Sequence, residues 1–414
     1  MARAATSPAR PRSSRLAGAR PDRLLIGSVV FLVCFGLVMV YSASSATAVL
    51  EGGDPLAVLK RQVLYAGLGL VAFRLLSRAT PAQLRRIGPV AVGIAGVLLV
   101  AVLMPGFGVV VNGARRWLAI GPIQVQPSEI AKLALALWIA QAIARSPRRL
   151  TERGGLIPFA GLTALLAALV LIEPDLGTAV TMCVMAGAML LVAGAPVRRL
   201  ALIAGGALLL AGFAVAASPY QRERVHTFLD PWSKATGAGF QTVQAEIAIG
   251  SGGPVGRGLG NGIQKNNYLP EAATDMIAAN IGEELGLVGL LALMAGYATF
   301  GVAGYRIALR ARDIHQRTLA AGITTLIVVQ AAVNLGTVLG VVPVTGVPLP
   351  FVSAGGSNLV VFLSAVGILV NIGRRGRASR PSALRDASAD RGRGDGRARD
   401  ARAGGGKRAA GARG

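Results

Sequence analysis

Ten stretches of this chain are each apolar for long enough to cross a lipid bilayer, and no other feature narrows the choice of fold as far. A hydrocarbon layer about 30 Å thick takes roughly 20 apolar residues of helix, and backbone left unpaired in lipid is too costly for any other single-segment structure. The runs lie near residues 24–44, 62–76, 87–104, 129–145, 156–172, 176–194, 199–217, 279–303, 318–342 and 351–372; the second is short and carries Arg74. The expected fold class is therefore an all-α polytopic integral membrane protein of about ten transmembrane helices. Composition agrees, with 53% hydrophobic and 15% charged residues, where soluble proteins carry about a quarter charged. Arg-rich residues precede the first run as in a signal peptide, but its length exceeds the roughly 7 to 15 residues of such a segment, so it is read as a retained helix.

Lys and Arg mark the cytoplasmic side of short loops. With the N-terminus inside, 33 of the 43 basic residues fall in the cytoplasm and 12 of the 19 acids fall outside, which predicts both termini cytoplasmic. Residues 1–23 and 373–414 are rich in Arg, Ala, Gly and Ser and poor in large apolar residues, so they are expected to be disordered basic tails flanking a membrane domain over 24–372. Such tails suit attraction to anionic membrane lipids or docking of a cytoplasmic partner. One large extracytoplasmic loop is expected over 218–276; it contains an amphipathic stretch, Phe240 to Ile249, and the loop is expected to fold back on the membrane surface. A second outer segment runs from Pro105 to Ser128.

The net charge of +24 does not point to nucleic acid, because the basic residues neither share a face nor interleave with aromatics, which make up 5% of the chain. Cys34 and Cys183 sit in apolar runs, and His226 and His315 lie far apart, so no His/Cys metal centre is expected and the sequence requires no cofactor. Seven glycines between Gly250 and Gly262 match no complete nucleotide-binding pattern and read as a flexible re-entrant or hinge segment.

Charge at membrane depth is costly and marks function by default, and here it gathers at the outer edge. Glu129 and Lys132 share a face in the first turn of the fourth span, and Glu173 and Asp175 flank Pro174 between the fifth and sixth. Glu283 and Glu284 open the eighth span, with Asp275 just before it. Acids at a helix start are also favoured by the macrodipole alone, whereas Lys132 sits at the wrong end of that dipole and needs an anionic partner, Glu129 or a bound phosphate. Arg115 and Arg116, followed by Trp117, suit either a lipid diphosphate or headgroup anchoring. Asp275 is the sharpest candidate for a general base, with helix capping as its plainer role.

Gly113-Ala-Arg-Arg-Trp-Leu, Gln126-Pro-Ser-Glu-Ile-Ala-Lys132, Glu173-Pro-Asp-Leu-Gly-Thr178, Tyr268-Leu-Pro-Glu with Thr274-Asp275, Gly282-Glu-Glu-Leu-Gly286 and Pro350-Phe-Val-Ser-Ala-Gly-Gly-Ser357 follow one another in an order that resembles the SEDS (shape, elongation, division and sporulation) family. The resemblance spans about residues 24–372. It implies a peptidoglycan glycosyltransferase that polymerises lipid II outside the bacterial cytoplasmic membrane, beside a class B penicillin-binding protein that cross-links the strands. Gly336 to Pro350, Asp230-Pro-Trp and the basic C-terminal tail resemble the division branch, with other division proteins and the septum implied, more than the elongation branch. Asp275 then matches the catalytic acid, deprotonating the acceptor's 4-hydroxyl for one inverting displacement. Arg116 and Lys132 would stabilise the leaving undecaprenyl diphosphate. Arg115, Glu129, Glu173, Asp175, Glu271, Ser353, Gly355 and Gly356 fall on the motifs as further substrate-binding positions. No resident metal is implied, and a divalent cation carried by the substrate is compatible with the scheme. Where the family has His-Thr-Asp-Phe, this chain has Ala273-Thr274-Asp275-Met276, which removes a polar neighbour of the base. A lipid II flippase and a non-catalytic division scaffold are the competing readings.

Overall fold

The apolar runs fold into helices joined by short connections. The computed structural model describes residues 22–378 apart from Glu51, Asn112, Gly113, Pro122, Ser218, Ala238 and Asn267; most of both expected tails lies outside the described residues. In chain order the helices are α1 (Arg23–Leu50), α2 (Ala57–Arg78), α3 (Pro81–Leu103), α4 (Pro127–Arg145), α5 (Ile157–Ile172), α6 (Leu176–Val192), α7 (Val197–Ala217), α8 (Pro219–Leu229), α9 (Phe240–Gly252), α10 (Ile277–Arg310), α11 (Ile314–Val338) and α12 (Gly356–Ala378). Of these, α1, α3, α10, α11 and α12 have the length and hydropathy to cross a membrane, and α5 and α6 are apolar but shorter. Together they make a polytopic membrane fold, and α2, α4 and α7 coincide with the remaining apolar runs of the sequence.

Local chemistry sets the helix ends. Thr80 and Gln83 form a reciprocal capping box at the start of α3, with Pro81 in the first turn, where its missing N–H costs nothing. Gly286 interrupts α10 at φ 64°, a left-handed conformation that a side chain resists, and a Cβ there would lie 2.3 Å from the backbone nitrogen of Gly256. α11 and α12 form the middle of the bundle, 67% and 83% buried over their apolar windows against 28% for α3. α12 packs on α2, α11 on α6 and α10, and α10 on α1 and α9. Leu202, Leu208, Leu209 and Phe213 of α7 point outward, as lipid-facing residues do.

Three features that the apolar runs did not specify bear on the site. The segment after α3 forms an antiparallel sheet, β1 (Gly108–Val111), β2 (Ala114–Ile120) and β3 (Ile123–Val125), in the order β1-β2-β3. α9 lays its buried face on α10; Gly252 packs so closely that a Cβ would sit 2.0 Å from the carbonyl oxygen of Gly282. The tenth apolar run does not start as helix: residues 339–355 form an irregular strap, Phe351 has φ 68°, and α12 begins at Gly356.

Candidate active site

β2 delivers Arg116 to the turn between α5 and α6. Its Nε donates to the carbonyl oxygen of Glu173 at 2.7 Å and its Nη2 to that of Pro174 at 2.6 Å. Both acceptors are neutral carbonyls, so these bonds orient the guanidinium without spending its charge on a carboxylate. Neighbouring residues of a strand point to opposite faces, and Arg115 is accordingly exposed and is not brought to this turn. The Glu173 side chain is wholly buried, and neither carboxyl oxygen has a hydrogen-bond partner among the described residues. Burial, reinforced by Asp175 and partly offset by Arg116, pushes its pKa up to about 8, so it is neutral at pH 7. Asp175, also buried, caps α6 by accepting from Thr178 N at 3.0 Å.

Asp275 stands immediately before α10 and faces the same point. A Cβ added to Gly346, whose φ is 69°, would lie 3.5 Å from Asp275 Oδ2 and 3.4 Å from Arg116 Nη1. Carboxylate and guanidinium thus flank one gap that the absence of a side chain at Gly346 leaves open. The strap holds this arrangement: Ala354 N donates to Ala273 O at 2.9 Å and Ser353 Oγ to Thr274 O at 2.6 Å, while Leu349 N donates back to Ser353 Oγ. Ser353 is therefore committed to backbone and positions the Asp275 turn. Gly356 is required by packing, since a Cβ would meet the Tyr65 ring at 2.2 Å; Gly355 beside it is buried against Asn358. Glu271 is exposed and organises its own turn, accepting from Thr274 Oγ1 through its carboxylate and from Thr274 N and Met276 N through its carbonyl.

Lys132 departs from its expected place. It exposes no surface: Nζ donates to Glu129 Oε1 at 2.8 Å and to Gln330 Oε1, and lies 5.4 Å from the centroid of the Phe362 ring. The anionic partner its position demanded is thus Glu129, itself wholly buried, and direct contact of either residue with substrate is closed in this conformation. The pair reaches the strap through Gln330, whose Nε2 donates to Pro348 O at 2.9 Å.

Glu283 and Glu284 do not open a helix; α10 already begins at Ile277. Their carboxylates collect backbone donors from the Gly-rich segment. Ile263 N reaches Glu283 at 2.8 Å and Gly260 N reaches Glu284 at 3.0 Å. Lys265 Nζ pairs with Glu284 at 2.7 Å, and Ser42 Oγ of α1 joins them at 2.6 Å. The segment expected to be a flexible hinge is fastened at both carboxylates. Among the described residues, no group of three or more His, Cys, Asp or Glu is placed to hold a metal ion.

Gln330, Asn334 and Gly346 belong to this arrangement and were not singled out from the sequence. The available signal was three polar residues, Gln330, Asn334 and Thr337, at helical spacing in an apolar span.

A family model for cell cycle proteins, covering FtsW, RodA and SpoVE, matches residues 22–378. The chain belongs to the FtsW/RodA/SpoVE family. Stage V sporulation protein E of Bacillus subtilis is 38% identical over 360 residues, 86% of this chain and 98% of that protein. The probable peptidoglycan glycosyltransferase FtsW of Nitrosococcus halophilus is 43% identical over 364 residues, 85% and 92% of the two chains. Among solved structures, a chain from a peptidoglycan synthase complex that coordinates polymerization and crosslinking superposes with TM-score 0.73 at 31% identity, covering 86% of this chain and 98% of that one. Thermus thermophilus RodA superposes with TM-score 0.64 at 29% identity, with 86% and 98% covered. The matched residues span all six motifs read in the sequence.

Proposed function

We propose that the chain is a peptidoglycan glycosyltransferase that polymerises lipid II at the outer face of the bacterial cytoplasmic membrane during cell division. Relatives named probable peptidoglycan glycosyltransferase FtsW support the reaction class. The observation that carries the mechanism is the convergence of Asp275 and Arg116 on the gap at Gly346. The Asp275 carboxylate takes the proton of the acceptor sugar's 4-hydroxyl as that oxygen attacks the anomeric carbon of the growing chain. The bond to the diphosphate oxygen breaks, and undecaprenyl diphosphate leaves on the opposite side, with inversion. Arg116, held by two neutral carbonyls, keeps its charge for the departing diphosphate. Lys132 and Glu129 act from beneath, as a buried pair that braces the strap through Gln330. A divalent ion that arrives on the diphosphate is compatible with this scheme and none of its steps needs one.

The likeness to a chain of a synthase complex supports a class B penicillin-binding protein as partner, with other division proteins at the septum. A flippase would need polar groups along a path through the bundle, whereas the candidate charges gather at one end of it.

The test is polymerisation of labelled lipid II by the purified protein with its cognate class B partner, comparing wild type with Asp275→Ala at matched folding and complex formation. Glycan strands from wild type and none from the variant are expected. Equal products from both would remove Asp275 as the base; no product from either, beside an active control pair, would favour the scaffold or the flippase.

A further inference from the structure

The strap crosses the end of α11 as non-helical backbone inside a membrane domain, where every carbonyl needs a protein donor. Pro343, Pro348 and Pro350 reduce the strap's own donors, and one face of α11 supplies what is missing. Gln330, Asn334 and Thr337 sit at i, i+4 and i+7. Gln330 Nε2 donates to Pro348 O, and Thr337 Oγ1 to Pro343 O at 3.3 Å. Asn334 does more: its Nδ2 donates to Val347 O at 2.8 Å and to the carbonyl oxygen of Asp275, also at 2.8 Å.

The Asn334 side chain is 2% exposed, and its Oδ1 has no hydrogen-bond partner among the described residues. An amide nitrogen carries two hydrogens and here meets two carbonyl oxygens, so both donors are used and the opposite flip would set oxygen against oxygen. One side chain therefore ties Asp275 to the residue following Gly346, joining one flank of the gap to its floor.

We propose that Asn334 is the positioning residue of the site, fixing the distance between Asp275 and the floor of the gap at Gly346. The inference rests on the assignment of Asp275 as base. Without both hydrogen bonds, the Asp275 turn and the strap lose their only shared side-chain amide among the described residues, and the carboxylate leaves its productive register. A misplacement of about 1 Å at a reacting group costs on the order of 100-fold in rate.

The test uses the full-length protein with its class B partner and labelled lipid II. Asn334→Asp keeps the volume but not the paired donors, and Asn334→Leu removes the polar group. Both are expected to lower kcat by about 10- to 100-fold with apparent KM for lipid II within about threefold. In Asn334→Asp, the added carboxylate is expected to move the acidic limb of the kcat–pH profile upward. Folding is read separately by gel filtration and copurification with the partner; Asn334→Asp carries the test should the leucine variant not fold. Wild-type kcat and an unmoved acidic limb in a folded Asn334→Asp enzyme would overturn the proposal. Polymerisation by Asp275→Asn in the same series would instead overturn the assignment of the base.

Discussion

Replacing Lys132 with Met separates a buried structural cation from one that meets substrate. In the structure Lys132 and Glu129 are both wholly buried, 2.8 Å apart, and Glu129 Oε2 has no partner even with the lysine present. Lys132→Met therefore strands an uncompensated carboxylate away from water and deprives Gln330 Oε1 of its donor. Breaking a buried pair from one side costs about 3–5 kcal/mol. At about 2 °C per kcal/mol, the low end of the usual range and suited to a long chain, the apparent melting temperature should fall by about 6–10 °C. The double variant Glu129→Gln with Lys132→Met removes both charges at nearly constant volume, and neutralising both partners of a buried pair is often close to neutral. It should recover most of that loss. The assay is thermal unfolding of the detergent-solubilised protein by tryptophan fluorescence, with polymerase activity measured per folded molecule. A Lys132→Met protein that melts like wild type yet makes no glycan, and whose activity the second substitution does not restore, would refute the argument and return Lys132 to the substrate.

Ionisation of Glu173 sets an alkaline limit. Its carboxyl, raised from 4.5 to about 8 by burial and by Asp175, holds a proton in the native state that the unfolded chain has released. Stability should therefore fall as pH rises from about 4.5 toward about 8, and activity should fall as the group ionises beside Arg116; Glu173→Gln should flatten both trends, and an alkaline limb that persists in the variant would count against this assignment. Gly346→Ala puts a methyl at ordinary contact distance from Arg116 Nη1 and Asp275 Oδ2 while costing about 1–2 kcal/mol in a left-handed conformation, so polymerisation should be lost in protein that still folds, as gel filtration with the activity assay will read. Lys265→Met leaves Glu284 buried without its cation and should speed amide hydrogen exchange across residues 253–265 relative to α11; unchanged exchange would show that the backbone donors alone hold the segment.

The membrane fold was legible because length and hydropathy decide it, and the expected spans differ from the helices mostly by a few residues at each end. The start of α12 was hidden because Phe351 and Val352 are as apolar as any helical residue; what takes them out of the helix is a positive φ and hydrogen bonds to a segment about 80 residues earlier, neither of which leaves a periodic trace. The sheet carried a local signal, β-branched Val109 to Val111 before Asn112-Gly113, that the apolar background concealed. Asp275 and Arg116 could be found by their charge. Lys132 was found for a sound reason, its need for an anion, but proximity to the membrane edge did not reveal that Gln330 and Phe362 close over it. Asn334 was invisible as a site residue because its work is done on backbone carbonyls, whose positions no composition predicts.

The strap also has a consequence in the time order of synthesis. Arg116, Glu173 and Asp275 are all made before Gly346, the floor of the gap that Arg116 and Asp275 flank, and the latch from Ser353 to Thr274 joins residues 79 apart in the chain. Domains are made from the N-terminus at about 5–20 residues per second, so α1 to α11 are made before the segment that latches the Asp275 turn. Only when the strap and α12, which packs on α2, have been made can Ser353 bond Thr274 O. On the proposed reading of the site, a nascent chain thus carries Arg116 and Asp275 before the strap that positions them, and competence arrives with its last segment.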